Sequence, residues 1–344
     1  MTAAVDALRS QAAPLARVTG VRKVYDGLVA LDGVDLAIHA GERLALVGHN
    51  GSGKSTLIKM LLGFVVPDAG TVTVLGQTPN AHEGARMRSR IAYLPERVAF
   101  DPQMTGREVL RFYARLKGAD ARPAAIDALL DRVGLQQAAD RRIAGYSKGM
   151  QQRLGLAQAL IGDADLYLFD EPTTGLDPMA RRWFFALIAE LKEQGKAVVI
   201  ASHVLAELER VADRIAMISN GRLFAVGSLE ELRRRARLPH RLSLVLPPGM
   251  LLKAERAFAG LDVEMTVESD TRLTITFAPT RKTALLGPLA RLMEEAEIDF
   301  AFSAPGLDAL YAALLEKDAA DGGTGPVVSH IRSDMGEGRR GECS

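Results

Sequence analysis

Cysteine is nearly absent: the 344-residue chain has one, Cys343, close to its C-terminal end, which excludes an internal disulfide and fits a reducing compartment. The histidines His39, His49, His82, His203, His240 and His330 include no i, i+4 pair, and without paired cysteines no spacing suits a structural zinc or copper site. Charge of one sign is also missing. The 43 Lys and Arg against 42 Asp and Glu give a formal net charge of +1, so no basic field points to nucleic acid as a partner and no acidic excess suggests a solvating tail. Long apolar runs are lacking too: the stretch from Leu57 to Val66 is broken by Lys59, far short of the roughly 20 residues of a spanning helix, so the chain is not expected to cross a membrane by itself. Residues 1–15 have no basic start followed by an apolar stretch, as a secretory signal would; they read as a flexible, Ala-rich leader of a chain placed in the cytoplasm.

What is present is an ordinary globular composition, 48% hydrophobic and 25% charged, long enough for one large domain and a smaller one. Over residues 16–232 strand-like apolar runs alternate with amphipathic helical stretches, the pattern of an α/β domain with a largely parallel sheet. Residues 43–47, 166–169 and 197–200 are short and apolar, as strands buried on both faces are; 55–62 reads as a helix. Between them, about 100–165 is helical in pattern, punctuated by Gly106, Gly118, Gly134 and Gly145, and reads as an inserted helical subdomain. The basic stretch Arg233, Arg234, Arg235 and Arg237, a solvated helix face, ends at Pro239 and marks a boundary. Beyond it, 240–316 reads as a small α+β domain, with strands at 241–246, 263–267 and 273–277 and a helix at 283–296. Residues 317–344 turn Gly-rich and polar and read as a disordered tail.

Gly48, His49, Asn50, Gly51, Ser52, Gly53, Lys54 and Ser55, followed by Thr56, form a phosphate-binding loop set between a strand and a helix. Its glycines let backbone N–H groups close around phosphates, and the helix N-terminus adds partial positive charge. Lys54 neutralises β and γ oxygens, while Ser55 offers its hydroxyl oxygen to Mg²⁺. Downstream, an apolar strand ends in Asp170 and Glu171, at the carboxyl edge where open parallel sheets bind ligands. Asp170 is suited to the Mg²⁺ shell and Glu171 to orienting and polarising the attacking water. An Asp-Glu strand end alone is a weak signal. Together with the phosphate loop it becomes a strong one.

Tyr146-Ser147-Lys148-Gly149-Met150-Gln-Gln-Arg153 resembles the signature motif of ATP-binding-cassette proteins. That resemblance implies a P-loop nucleotide-binding domain with a RecA-like sheet core, ATP and Mg²⁺ as cofactors, and a homodimer that sandwiches two nucleotides. In it, Ser147 and the backbone at Gly149 contact the γ-phosphate held by the other copy; Ser147 also reads as a helix N-cap. By the same resemblance Tyr25 stacks on adenine, the loop from Thr174 to Asp177 links the two active sites, and His203 is the switch histidine bonding γ-phosphate and water. Two positions depart from the majority pattern. Glu96 stands where most of the family has glutamine; it can reach Mg²⁺ or water, and its charge beside Asp170 and Glu171 should raise the proton affinity of one of the three. Lys148 and Met150 replace the usual glycine and glutamine.

Within the family, Glu96, the Tyr-Ser-Lys-Gly-Met signature and the segment from Pro305 to Tyr311 are typical of subunits serving exporters with six-helix permeases. The segments Gly48-His-Asn-Gly, Tyr93-Leu-Pro-Glu-Arg-Val, Ala114-Arg-Leu-Lys-Gly118 and Ala139-Asp-Arg-Arg142 look like those of the ATPases that help mature the copper centres of nitrous oxide reductase. This implies an integral membrane permease and a periplasmic protein as partners, with the chain peripheral on the cytoplasmic face of the inner membrane. The permease would dock near residues 96–103, using Pro102 and exposed Val98 and Phe100. An exporter of a drug, lipid or polysaccharide shares every catalytic residue named. A cassette ATPase working on ribosomes or DNA is disfavoured by a single cassette, no sustained heptads and the balanced charge.

Overall fold

In the computed structural model, residues 13–79 and 84–321 are described. Strands β1 (Ala16–Tyr25), β2 (Leu28–Ile38) and β4 (Ala69–Val74) form an antiparallel sheet in the order β2-β1-β4. The β1–β2 turn has both central residues, Asp26 and Gly27, at positive φ, the turn whose twist matches a hairpin. Strand-by-strand reading had suggested only a largely parallel sheet; pairing partners of alternating strands are chosen by long-range contact and are not written into any one of them.

The second sheet has six strands in the order β5 (Ile91–Leu94), β6 (Leu166–Asp170), β7 (Ala197–Ser202), β3 (Arg43–Val47), β8 (Arg214–Ser219), β9 (Arg222–Gly227). All neighbours are parallel except β8 and β9. Every residue of β6 and β7 is buried, as in a sheet covered on both faces. One face packs with the antiparallel sheet and α1 (Lys54–Leu61), through Leu57, Ile58, Leu61 and Leu168. The other packs against α6 (Pro178–Glu193) through Phe169, Phe184, Leu187 and Ile200.

A short α2 (Gly84–Ser89) precedes β5. Helices α3 (Gly106–Lys117), α4 (Pro123–Arg132) and α5 (Lys148–Ala159) enclose a separate core of Val109, Leu110, Ile126, Leu130 and Leu154. This subdomain meets the sheet where Val98 and Leu94 press against Gly155; a Cβ there would lie 2.8 Å from both. Val98 and Phe100 are therefore half-buried, Phe100 edge-on to Tyr113, and neither is the exposed apolar contact expected from sequence.

After α7 (Leu205–Leu208) and α8 (Leu229–Ala236), a four-stranded antiparallel sheet runs β11 (Glu264–Ser269), β12 (Arg272–Phe277), β10 (His240–Val245), β13 (Asp299–Ser303). With α9 (Leu251–Phe258) and α10 (Lys282–Glu295) it encloses its own core, including Leu242, Phe258, Ile275 and Leu285. The last helix, α11 (Leu307–Ala320), does not belong to that core. Its Leu307, Leu310 and Leu314 pack with Phe224 of β9 and Leu232 of α8. The small unit thus closes at Ser303, where the sequence had placed its end at 316, because the apolar stripe of α11 finds its partners on α8 and β9. The tail boundary shifts likewise: 317–320 are helical, and 322–344 lie outside the described residues. So do residues 1–12 of the leader, whereas the Leu15 carbonyl accepts a hydrogen bond from Leu75 N–H at 2.7 Å.

Candidate active site

The phosphate loop leaves β3 and enters α1 with Gly48 pressed against the chain beneath it. A Cβ at Gly48 would stand 2.3 Å from the Ile218 carbonyl oxygen, so only glycine fits. Lys54, almost buried, curls back so that its ammonium donates to the carbonyls of Gly48 at 2.6 Å and His49 at 3.1 Å. Burial lowers its pKa from the usual lysine value, against the pull of Glu171, Asp170 and Glu96.

The loop from Asn50 to Thr56, with Glu96, Asp170 and Glu171, lines a cavity of about 350 Å³. Burial raises the Asp170 pKa; a Ser55 hydrogen bond opposes this, and the carboxylates of Glu171 and Glu96 add to it. Glu171 holds a left-handed backbone, φ 49°, which for a non-glycine residue stores about 1 kcal/mol or more of strain and is typical of working sites. Its N–H donates to Ala201 O at 2.9 Å and its Oε2 accepts from Ser202 Oγ at 3.2 Å. Its Oε1 lies 2.8 Å from His203 Nδ1, within ion-pair distance but off hydrogen-bond geometry. Among the described residues four buried side-chain polar atoms lack a hydrogen-bond partner, and three of them, Ser52 Oγ, Asp170 Oδ1 and Glu171 Oε1, belong to residues of this cavity. Buried polar atoms are ordinarily satisfied, so this concentration marks a place built for a polar ligand. An orphaned carboxylate oxygen at Asp170, beside the Ser55 hydroxyl, fits a hard divalent cation with oxygen ligands.

Gly48, His49 and His203 line a second cavity, of about 390 Å³, with Asn50, Asp308 and Tyr311. Tyr25 lies outside both, 41% exposed, with Lys23 Nζ 5.4 Å from its ring centroid. Ser147 and Asp177 are also elsewhere, exposed and capping helices: Ser147 Oγ accepts from Met150 N–H at 3.2 Å, Asp177 from Ala180 N–H at 2.8 Å. The signature and the Thr174–Asp177 loop touch each other, since a Cβ at Gly149 would lie 3.0 Å from Gly175 O. Gln152, buried in α5, donates to Pro172 O at 3.2 Å, linking the signature helix to the residue after Glu171. Sequence reasoning gave no role to Ser202 and Gln152, which lie in the runs around His203 and the signature, and it missed the β8–β9 turn beneath the loop, whose local signal is the Asn220-Gly221 pair.

Residues 31–174 match the family described as ABC transporter. The chain is 38% identical to the Nod factor export ATP-binding protein I of Ralstonia nicotianae over 64% of this chain and 68% of that protein. It is 35% identical to the daunorubicin resistance ATP-binding protein DrrA3 of Streptomyces coeruleorubidus, over 88% of this chain and 96% of that one. Among solved structures, the ATP-binding subunit of an ABC transporter superposes with a TM-score of 0.60 at 32% identity, covering 64% of this chain and 92% of that chain. A phosphate loop on a parallel sheet, a carboxylate pair at the strand end and relatives matched over two thirds of their length or more lead to one conclusion: this chain belongs to the ATP-binding subunits of ABC transporters, and it is an ATPase.

Proposed function

We propose that two copies of this chain close on two ATP molecules and drive an exporter-type membrane permease from the cytoplasmic face of the inner membrane. The observation that carries the reading is the distribution of the site. The orphaned polar atoms of Ser52, Asp170 and Glu171 gather at one cavity, while Ser147, Gly149 and Asp177 are displayed elsewhere on the same chain. A nucleotide held by one copy's loop is then completed by the signature of the other.

In this reading Lys54 and the loop amides hold the phosphates, and Tyr25 stacks on adenine. Ser55, Asp170 and Glu96 hold Mg²⁺, which when bound neutralises phosphate charge. Glu171 orients the attacking water and takes its proton; His203, at Glu171 Oε1, keeps that carboxylate directed and contacts the γ-phosphate. Glu171→Gln is expected to lower ATP turnover by roughly 100-fold or more while ATP still brings two chains together, read by phosphate release and by size-exclusion chromatography with ATP and Mg²⁺. Equal turnover in the variant would remove Glu171 from this role.

Among the described residues no helix is long and apolar enough to cross a membrane, which leaves the span to a permease. The likeness to export and resistance ATP-binding proteins, extending through the small α+β unit in DrrA3, supports an exporter-type partner. The finer reading, maturation of nitrous oxide reductase copper centres with a periplasmic partner, rests on the motif resemblance alone. Co-purification from solubilised membranes decides between them: a periplasmic protein with the permease supports maturation, and a permease alone supports export of a small molecule.

A further inference from the structure

The floor of the phosphate loop is the hairpin turn from Ile218 to Gly221. Gly48 packs onto the Ile218 carbonyl, and a Cβ at Gly53 would lie 3.3 Å from Ile218 Cδ1. Gly221 N–H donates to Ser52 O at 2.9 Å, and Ser219 Oγ lies 3.5 Å from His49 Nε2. The β8–β9 register slips between Met217 and Ile218, so this end of the ladder is irregular, and it has added support from outside the sheet.

That support comes from α11. Tyr311 donates its hydroxyl to Ile218 O at 3.0 Å, its ring set edge-on to Phe224 at 5.2 Å. Burial raises the phenol pKa, against opposing contacts with the Ser219 side chain and the His49 backbone. The helix is itself held at both ends. Leu307 N–H donates to Glu209 Oε2 at 3.3 Å, and Glu209 also pairs with Arg233; Lys317 Nζ donates to the carbonyls of Arg235 at 3.0 Å and Ala236 at 2.9 Å. A helix anchored at both ends thus grips the carbonyl on which the loop rests, from the edge of the cavity that Tyr311 shares with Gly48, His49 and His203.

The geometry points to Tyr311 as a positioning residue for nucleotide binding, acting through Ile218 and the hairpin floor to fix the phosphate loop. This rests on the loop being the ATP site. Losing one hydrogen bond from such a support should cost affinity and leave chemistry alone, because the Tyr311 hydroxyl bonds the Ile218 carbonyl and not Glu171, Asp170 or Ser55.

The test uses the full chain with ATP and Mg²⁺, measuring Kd by calorimetry, kcat, KM and Tm. Tyr311→Phe keeps the ring and removes the hydroxyl; Kd and KM are expected to rise about 3- to 10-fold, the scale of one net hydrogen bond, with kcat within about twofold. Phe224→Leu removes the ring partner and keeps the hydroxyl; it is expected to lower Tm with Kd near wild type. Unchanged Kd in Tyr311→Phe would overturn the proposal, as would a Kd that follows Tm alike in both variants. A wild type that bound no ATP would instead overturn the reading of the loop.

Discussion

Asp213 shows how much of a site's rigidity can hang on one carboxylate. It accepts from the Arg43 backbone N–H at 3.0 Å, from Arg43 Nη2 at 3.0 Å and from Lys192 Nζ at 2.6 Å, tying the start of β3, which carries the phosphate loop, to the far end of α6. Burial pushes its pKa up, but the bonds from Arg43 and Lys192 outweigh this and hold it below the ordinary 3.8. A depressed carboxyl contributes stability that is present above 3.8 and lost as pH falls through the lower folded value. Asp213→Asn is expected to cost about 2 kcal/mol at neutral pH, and the gap between variant and wild type should close below that pKa; urea titrations at both pH values check it. Local sequence offers no sign of this partnership, whereas Lys54, Asp170 and Glu171 could be singled out as candidates because each stands at a fixed position within a short motif. The contact of His203 with Glu171 lies between: both residues could be picked out, and only the pairing of β6 with β7 brings them together.

Caps and turns give the elements their sharp ends. Helix α8 starts with a capping box, Ser228 Oγ accepting from Glu231 N–H at 3.2 Å and Glu231 Oε2 from Ser228 N–H at 2.8 Å. The same helix presents Leu232 and Ala236 to α11, so fraying it loosens that contact. Ser228→Ala is expected to destabilise the chain by about 1 kcal/mol, read as a lower urea midpoint with an unchanged slope. The strands 43–47, 166–169 and 197–200 were readable from apolar runs bounded by polar or glycine residues. Strand β13 and helix α9 were not, because β13 is largely exposed and does not alternate, and α9, though amphipathic, spans only 8 residues.

Taken as one body, the chain weaves its units together and does not string them. Arg233 Nε donates to Pro305 O at 3.2 Å, so the points where the chain leaves for the small α+β unit and returns are side by side. Residues 240–303 form a loop-out with its own core; α11 is the closing piece of the cassette. Replacing 240–303 by a short flexible linker should therefore preserve cooperative unfolding and ATP binding. Ending the chain at 239 should not, because it uncovers Phe224, Leu232 and the floor beneath the loop; differential scanning calorimetry with and without ATP separates the two outcomes.

The amino-acid order alone singled out the candidate nucleotide site, because a phosphate loop, a strand-end carboxylate pair and a signature are contiguous runs whose backbone geometry is set by neighbours in the chain. Ile218 under Gly48, Tyr311 on Ile218, Asp213 between Arg43 and Lys192, and the attachment of α11 to the cassette all join residues from distant parts of the chain. Such partners are selected by burial and by the need to satisfy polar groups in the packed state, a condition that exists only after the chain has folded.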